Sequence, residues 1–173
     1  MSIQSIWEQT RDFTQGGGDI LMIITIVTFI LWSLIFERFL YIKNEYPDYE
    51  KSVLEQWNSR LDKNSWSALR VREQMVSEAG LLLYKRITLI KTLVAICPLL
   101  GLMGTVTGMI NVFDVMGLVG NSNTRLMASG ISLATIPTMA GMVASLSGLY
   151  FENLLAGKAR KSKHVLAEKL SYE

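Results

Sequence analysis

Residues 20–36, 92–113 and 126–151 form three runs of 17, 22 and 26 residues that contain no Asp, Glu, His, Lys or Arg. The hydrocarbon core of a bilayer takes about 20 helical residues, with a range of about 17–25, so each run is long enough to cross one. Helices are the physical solution, because in hydrocarbon every backbone polar group must be satisfied within its own segment. The short alternating segments of a membrane barrel are absent. Phe39, Leu40, Tyr41 and Ile42 lengthen the first run if Glu37 and Arg38 are paired or snorkel. The expectation is an all-α membrane protein with three transmembrane helices, at 20–42, 92–113 and 126–151.

The Lys and Arg residues orient these spans. Ten lie between Phe36 and Thr92 and five after Phe151, against Arg11 alone before the first span and Arg125 alone between the second and third. Basic residues gather on the cytoplasmic side. The loop 43–91 and the tail 152–173 are therefore expected in the cytoplasm, with the N-terminus and the connection 114–125 on the opposite face. A net charge of only +2 implies no nucleic-acid surface. Cys97, the only cysteine, sits inside an apolar run and reads as a small packed hydrophobe. Residues 1–19 carry Glu8, Arg11, Asp12 and Asp19 without a basic n-region, so no cleavable leader is expected there.

Outside the spans the pattern stays helical. Ile3, Ile6, Trp7, Thr10 and Phe13 recur at helical spacing, which predicts an interfacial helix within 1–19, followed by a Gly16-Gly17-Gly18 hinge. In the loop, Pro47-Asp48 predicts a helix start, with Tyr46, Tyr49, Val53, Trp57 and Leu61 on its apolar side. Asp62-Lys63-Asn64-Ser65 reads as a turn. Leu69, Val76, Leu83 and Ile87 then predict a second helix running into the second span, although Gly80 weakens it. These helical cytoplasmic extensions read as packing surfaces.

The second span carries Gly101, Gly104 and Gly108, a spacing that lets another backbone approach closely. On the third, Ala134, Thr138, Gly141, Ser145 and Gly148 recur at steps of four, three, four and three, so they share one stripe. These helices are expected to pack on each other and on copies of themselves. Thr105 lies 14 residues from Lys91, and Thr138 lies 14 residues from Glu152. At about 1.5 Å per residue, both hydroxyls sit roughly 21 Å from the charges bounding their helices, at similar depth. Each is either a space-filler bonded to a carbonyl one turn back or part of a pathway. Ser132 and Thr135 are weaker pathway candidates. Pro137 lacks an N–H and clashes with the Leu133 carbonyl, which predicts a kink or a loosened turn beside Thr138. Pro98 is expected to shape packing.

The stretch Pro98-Leu99-Leu100-Gly101-Leu102-Met103-Gly104-Thr105-Val106-Thr107-Gly108-Met109-Ile110, ending Asn111-Val112-Phe113, resembles the signature of the ExbB/TolQ/MotA proton-channel family. Gly130-Ile131, Thr138, Ala140, Gly141 and Met142 follow in an order similar to the family's third helix. The short chain and three spans resemble ExbB or TolQ more than the motor-stator proteins. The resemblance implies a multi-pass protein of the bacterial inner membrane, with its N-terminus periplasmic and its C-terminus cytoplasmic. It also implies a proton pathway flanked by Thr105 and Thr138. One departure stands out: many ExbB proteins carry a glutamate on the third span where this chain has Leu133.

Neither the second nor the third apolar run offers a titratable carrier. Hydroxyls orient and solvate a proton carrier but do not titrate near neutral pH. The carboxylate is therefore expected from another protein. The resemblance implies an ExbD-like single-span subunit with a membrane aspartate, enclosed by a homopentamer. It further implies a TonB-like transducer that passes the stroke to outer-membrane receptors for nutrients such as siderophore-bound iron. A TolQ-like role in envelope maintenance and a passive membrane scaffold are the competing readings. An enzyme is not expected. The lone His164 sits in a basic tail, and no catalytic pair, metal spacing, cofactor motif or phosphate loop is present in the sequence.

Overall fold

The structure, a computed structural model, describes residues 18–63, 65–119 and 124–170. These form α1 (Gly18–Leu40), a π-helical turn (Tyr41–Glu45), α2 (Tyr46–Asn58), α3 (Trp66–Tyr84), α4 (Ile87–Val119) and α5 (Thr124–Lys169), with no strand among the described residues. The three apolar runs lie in α1, α4 and α5, and three helices are long and apolar enough to cross a membrane. In the most apolar stretch of each, only 22% of the residues are buried within the chain. Phe29, Leu99, Val143 and Leu146 stand open on the outside. Apolar surface of that extent calls for lipid or for other subunits.

The interfacial helix and most of the glycine hinge expected before the first span fall outside the described residues. Gly18 is inside them and opens α1 with φ +60°. That left-handed conformation is strained for residues with a Cβ and free for glycine.

The chain divides into two compact units, Met1–Leu31 with Thr92–Gly148, and Trp32–Lys91 with Leu149–Glu173. In the first, α4 and α5 run antiparallel along a seam of small residues, and Leu21, Ile24 and Leu31 of α1 are buried, as are Val94, Cys97, Ala134 and Ala144. A Cβ added to Gly108 would lie 2.6 Å from the Ala134 Cβ, and one on Gly141 would lie 2.5 Å from the Cys97 carbonyl oxygen. Glycine at these points is what lets the two backbones approach. Pro98 and Pro137 both lie inside continuous helices. The Pro137 ring is seated on Gly104, where an added Cβ would come within 2.3 Å of the Pro137 Cβ.

The second unit has its own core of Val53, Trp57, Ala68, Met75, Ala79, Leu166 and Leu170. Pro47 falls in the first turn of α2, directly after the π-helical turn that joins it to α1. Ser65 caps α3 by accepting from the Ala68 N–H at 3.2 Å. Gly80 lies inside α3 without interrupting it, and its bare backbone makes the notch on which the Lys163 side chain lies. The helix expected to run into the second span does so, from Trp66 to Gly117, with a two-residue break at Lys85 and Arg86. Arg38 explains how the break is held. Its guanidinium donates to the carbonyls of Leu82 and Leu83 and lies 4.4 Å over the Tyr41 ring. Only 3% of Arg38 is exposed, so it does not snorkel, while its neighbour Glu37 pairs with Arg86. Two charges at the end of an apolar run are thus absorbed by one helix break.

Candidate functional site

The α4–α5 seam of the first unit brings the two singled-out threonines to one place. The Thr138 hydroxyl does not bond back along its own helix. It crosses to α4 and donates to the Gly101 carbonyl at 2.8 Å. In an α-helix that carbonyl also accepts the N–H four residues on, which is that of Thr105. Gly101 therefore links both positions. The approach is possible because Gly101 has no side chain: an added Cβ would lie 2.9 Å from the Thr138 Cα. Thr105 itself takes the local option and donates to the Leu102 carbonyl at 2.7 Å.

Both residues are half-buried, and each hydroxyl donates its single proton to a backbone carbonyl. A hydroxyl carries one donor and two acceptor lone pairs. What remains available at each position is therefore an acceptor. Such a pair can receive a hydrogen bond from a neutral carboxylic acid and offers nothing to a carboxylate.

Ser145, one of the expected packing residues, has a sharper role. Pro98 cannot donate to the carbonyl four residues before it, that of Val94. The Ser145 hydroxyl donates to that carbonyl at 2.9 Å. A buried carbonyl orphaned by a proline on α4 is satisfied from α5, as buried backbone groups must be. Ser145→Ala is expected to destabilise the purified protein by about 1–2 kcal/mol. In a Pro98→Ala background, where the N–H is restored, the same change should cost much less. Chemical denaturation of the four proteins in detergent measures this, and equal costs in both backgrounds would remove the assignment.

The other expected residues sort as follows. Gly101, Gly104, Gly108, Ala134, Gly141 and Gly148 all lie in the seam. Gly148 meets Val94 and Leu31. Thr135 is exposed and donates to the Ser132 backbone carbonyl at 2.8 Å. Pro137 fills space against Gly104, and nothing interrupts the helix there.

Two features escaped the sequence reading. A cavity of about 440 Å³ is walled by Gly104 and Pro137, the chain neighbours of Thr105 and Thr138, and its polar lining includes Asp19, Thr107 and Asn111. Leu133 also lines it. Asn111, a lone amide in an apolar run, was the available signal. The second feature lies in the other unit: Glu152, read only as the limit of the third span, is 7% exposed. No group of three or more metal-ligating side chains occurs among the described residues.

Comparison with known proteins places this geometry. Over 88 residues the chain is 35% identical to an ExbB-like biopolymer transport protein of Synechocystis, a match covering 49% of this chain and 42% of the relative. It is 33% identical over 79 residues to the biopolymer transport protein ExbB of Aquifex aeolicus, covering 46% and 53%. It is 29% identical over 96 residues to that of Salmonella typhimurium, covering 56% and 39%. The matches thus span about half the length of these relatives or less. The MotA/TolQ/ExbB proton channel family matches residues 42–168, well over half of the chain and through both helices of the seam. On that extent this multi-pass membrane protein belongs to the MotA/TolQ/ExbB proton channel family and is of the ExbB type.

Proposed function

We propose that the chain is the ring-forming subunit of a proton-motive-force-driven motor of the bacterial inner membrane, and not an enzyme. Copies of it, five by family analogy, surround an ExbD-like single-span partner that brings a membrane aspartate. The observation that carries this reading is that the Thr138 and Thr105 hydroxyls donate to the carbonyls of Gly101 and Leu102 on α4, which leaves each with lone pairs to offer. Such a lining favours the neutral acid over the anion, as a carrier crossing a dry region requires. Protonation from the periplasmic side lets the partner helix pass, and release to the cytoplasm restores the charge. The basic loop and tail set this orientation, with the N-terminus outside and the C-terminus inside. Each proton yields about 2.3 kcal/mol per 100 mV.

The ExbB-named relatives favour coupling to a TonB-like transducer and outer-membrane nutrient uptake, siderophore-bound iron among the candidates. A TolQ-like role would use the same ring with another transducer. The test is proton flux into liposomes holding the co-purified complex. Flux is expected with the partner's aspartate intact and should vanish when it is changed to asparagine. Flux from this chain alone, or none from the intact complex, would overturn the reading, and the latter result would favour a passive scaffold.

A further inference from the structure

In the second unit, α1 and α5 leave between them an apolar groove of about 290 Å³. Trp32, Phe36 and Phe39 line it from α1, and Phe151, Leu154 and Lys158 from α5. The Trp32 and Phe151 rings meet edge to face at 5.1 Å. Lys158 carries the only charge on the wall, and its ammonium is held 4.4 Å over the Phe39 ring. A slot of hydrocarbon with one cation at its rim is the negative image of an amphiphile with an anionic head.

The position of the groove agrees. Phe36 and Phe151 are the last residues of the first and third uncharged runs, so the slot straddles the level at which hydrocarbon gives way to charge. Aromatic side chains concentrate at that level. Beyond Lys158 follow Arg160, Lys161 and Lys163, four cations within six residues. Basic clusters directly beyond a membrane helix attract anionic lipids. A second copy of the chain is a poorer occupant. Close helix approach in a membrane needs small residues, and this wall is built from large rings, with Phe36 and Phe39 exposed.

We propose that the groove holds one acyl chain of an anionic phospholipid, whose phosphate is met by Lys158. The lipid belongs to the leaflet at the charged ends of the first and third spans, which is the cytoplasmic leaflet in the orientation given above. The assignment rests on membrane embedding alone and not on proton conduction.

The test uses the detergent-purified complex, stripped of lipid and mixed with phosphatidylglycerol or phosphatidylcholine of identical acyl chains, with retained lipid counted by native mass spectrometry. Phosphatidylglycerol should be retained about fivefold better. Lys158→Ala should erase the preference while Lys158→Arg keeps it. Leu154→Trp, at an already exposed position, should fill the slot and reduce retention of both lipids. Equal retention of the two lipids by the unaltered complex would overturn the proposal, as would an unchanged preference in Lys158→Ala. So would disulfide cross-linking between copies through Leu154→Cys, which would show a second chain covering the groove.

Discussion

A Gly141→Val chain is expected to lose the close packing of α4 against α5. The new Cβ would stand 2.5 Å from the Cys97 carbonyl oxygen and 3.2 Å from the Gly101 Cα. Both obstacles are backbone, so no side-chain rotation relieves the clash and the helices must part. Overpacking a tight core costs typically about 1–3 kcal/mol and occasionally more, and contact with two rigid backbones puts this change at or beyond the upper end. Parting the helices would also break the Thr138 bond to Gly101 and the Ser145 bond to Val94, which lie on either side of Gly141 along α5. Thermal unfolding in detergent checks the loss. Gly157→Ala is the internal control: nothing stands within 4 Å of its added Cβ, and helix propensity alone predicts a gain of up to about 1 kcal/mol. Comparable losses at both positions would mean that the seam is not what makes Gly141 intolerant.

Thr138→Val is expected to reduce proton flux through the assembled complex by about tenfold, the worth of one hydrogen bond in a dry site. Valine keeps the shape of threonine, so the ring should assemble with unaltered mass. The Gly101 carbonyl keeps its helical partner, the Thr105 N–H, so the stability cost should be near the average of about 0.6 kcal/mol for an interhelical bond in a membrane. Thr138→Ser restores both donor and acceptor and should recover most of the flux. That separates a hydroxyl acting on the carrier from one that only holds two helices together. Wild-type flux in a normally assembled Thr138→Val complex would end the hydroxyl's role.

What the sequence disclosed and what it hid divide along a physical line. The three apolar runs were legible because lipid acts on every residue of a span at once. The Gly101, Gly104 and Gly108 row was legible because small side chains at helical spacing have few other uses in hydrocarbon. Partner choice was not. A threonine in a membrane helix usually bonds back one turn, and Thr105 does, but Thr138 reaches Gly101 across 37 residues of chain. Pro98 advertised an orphaned carbonyl, yet nothing local said that Ser145 would claim it. Pro137 suggested a kink, but nothing local said that its ring would fill a glycine notch on the facing helix. Arg38 could be read as paired or snorkelling, but its partners could not be named, because the carbonyls that take it lie at the far end of α3, out of reach of any periodicity.

The π-helical turn at Tyr41–Glu45 sets the aim of everything after it within its unit. A π turn takes up one residue more than the α turn it replaces, and in an α-helix one residue corresponds to about 100° of rotation. Written as plain α-helix, the stretch from Trp32 to Asn58 would carry Val53 and Trp57 around by that angle, out of the pocket they share with Met75 and Leu166. The local widening works as a phase adjuster, matching the azimuth a helix needs in oil to the one it needs in water without interrupting the rod.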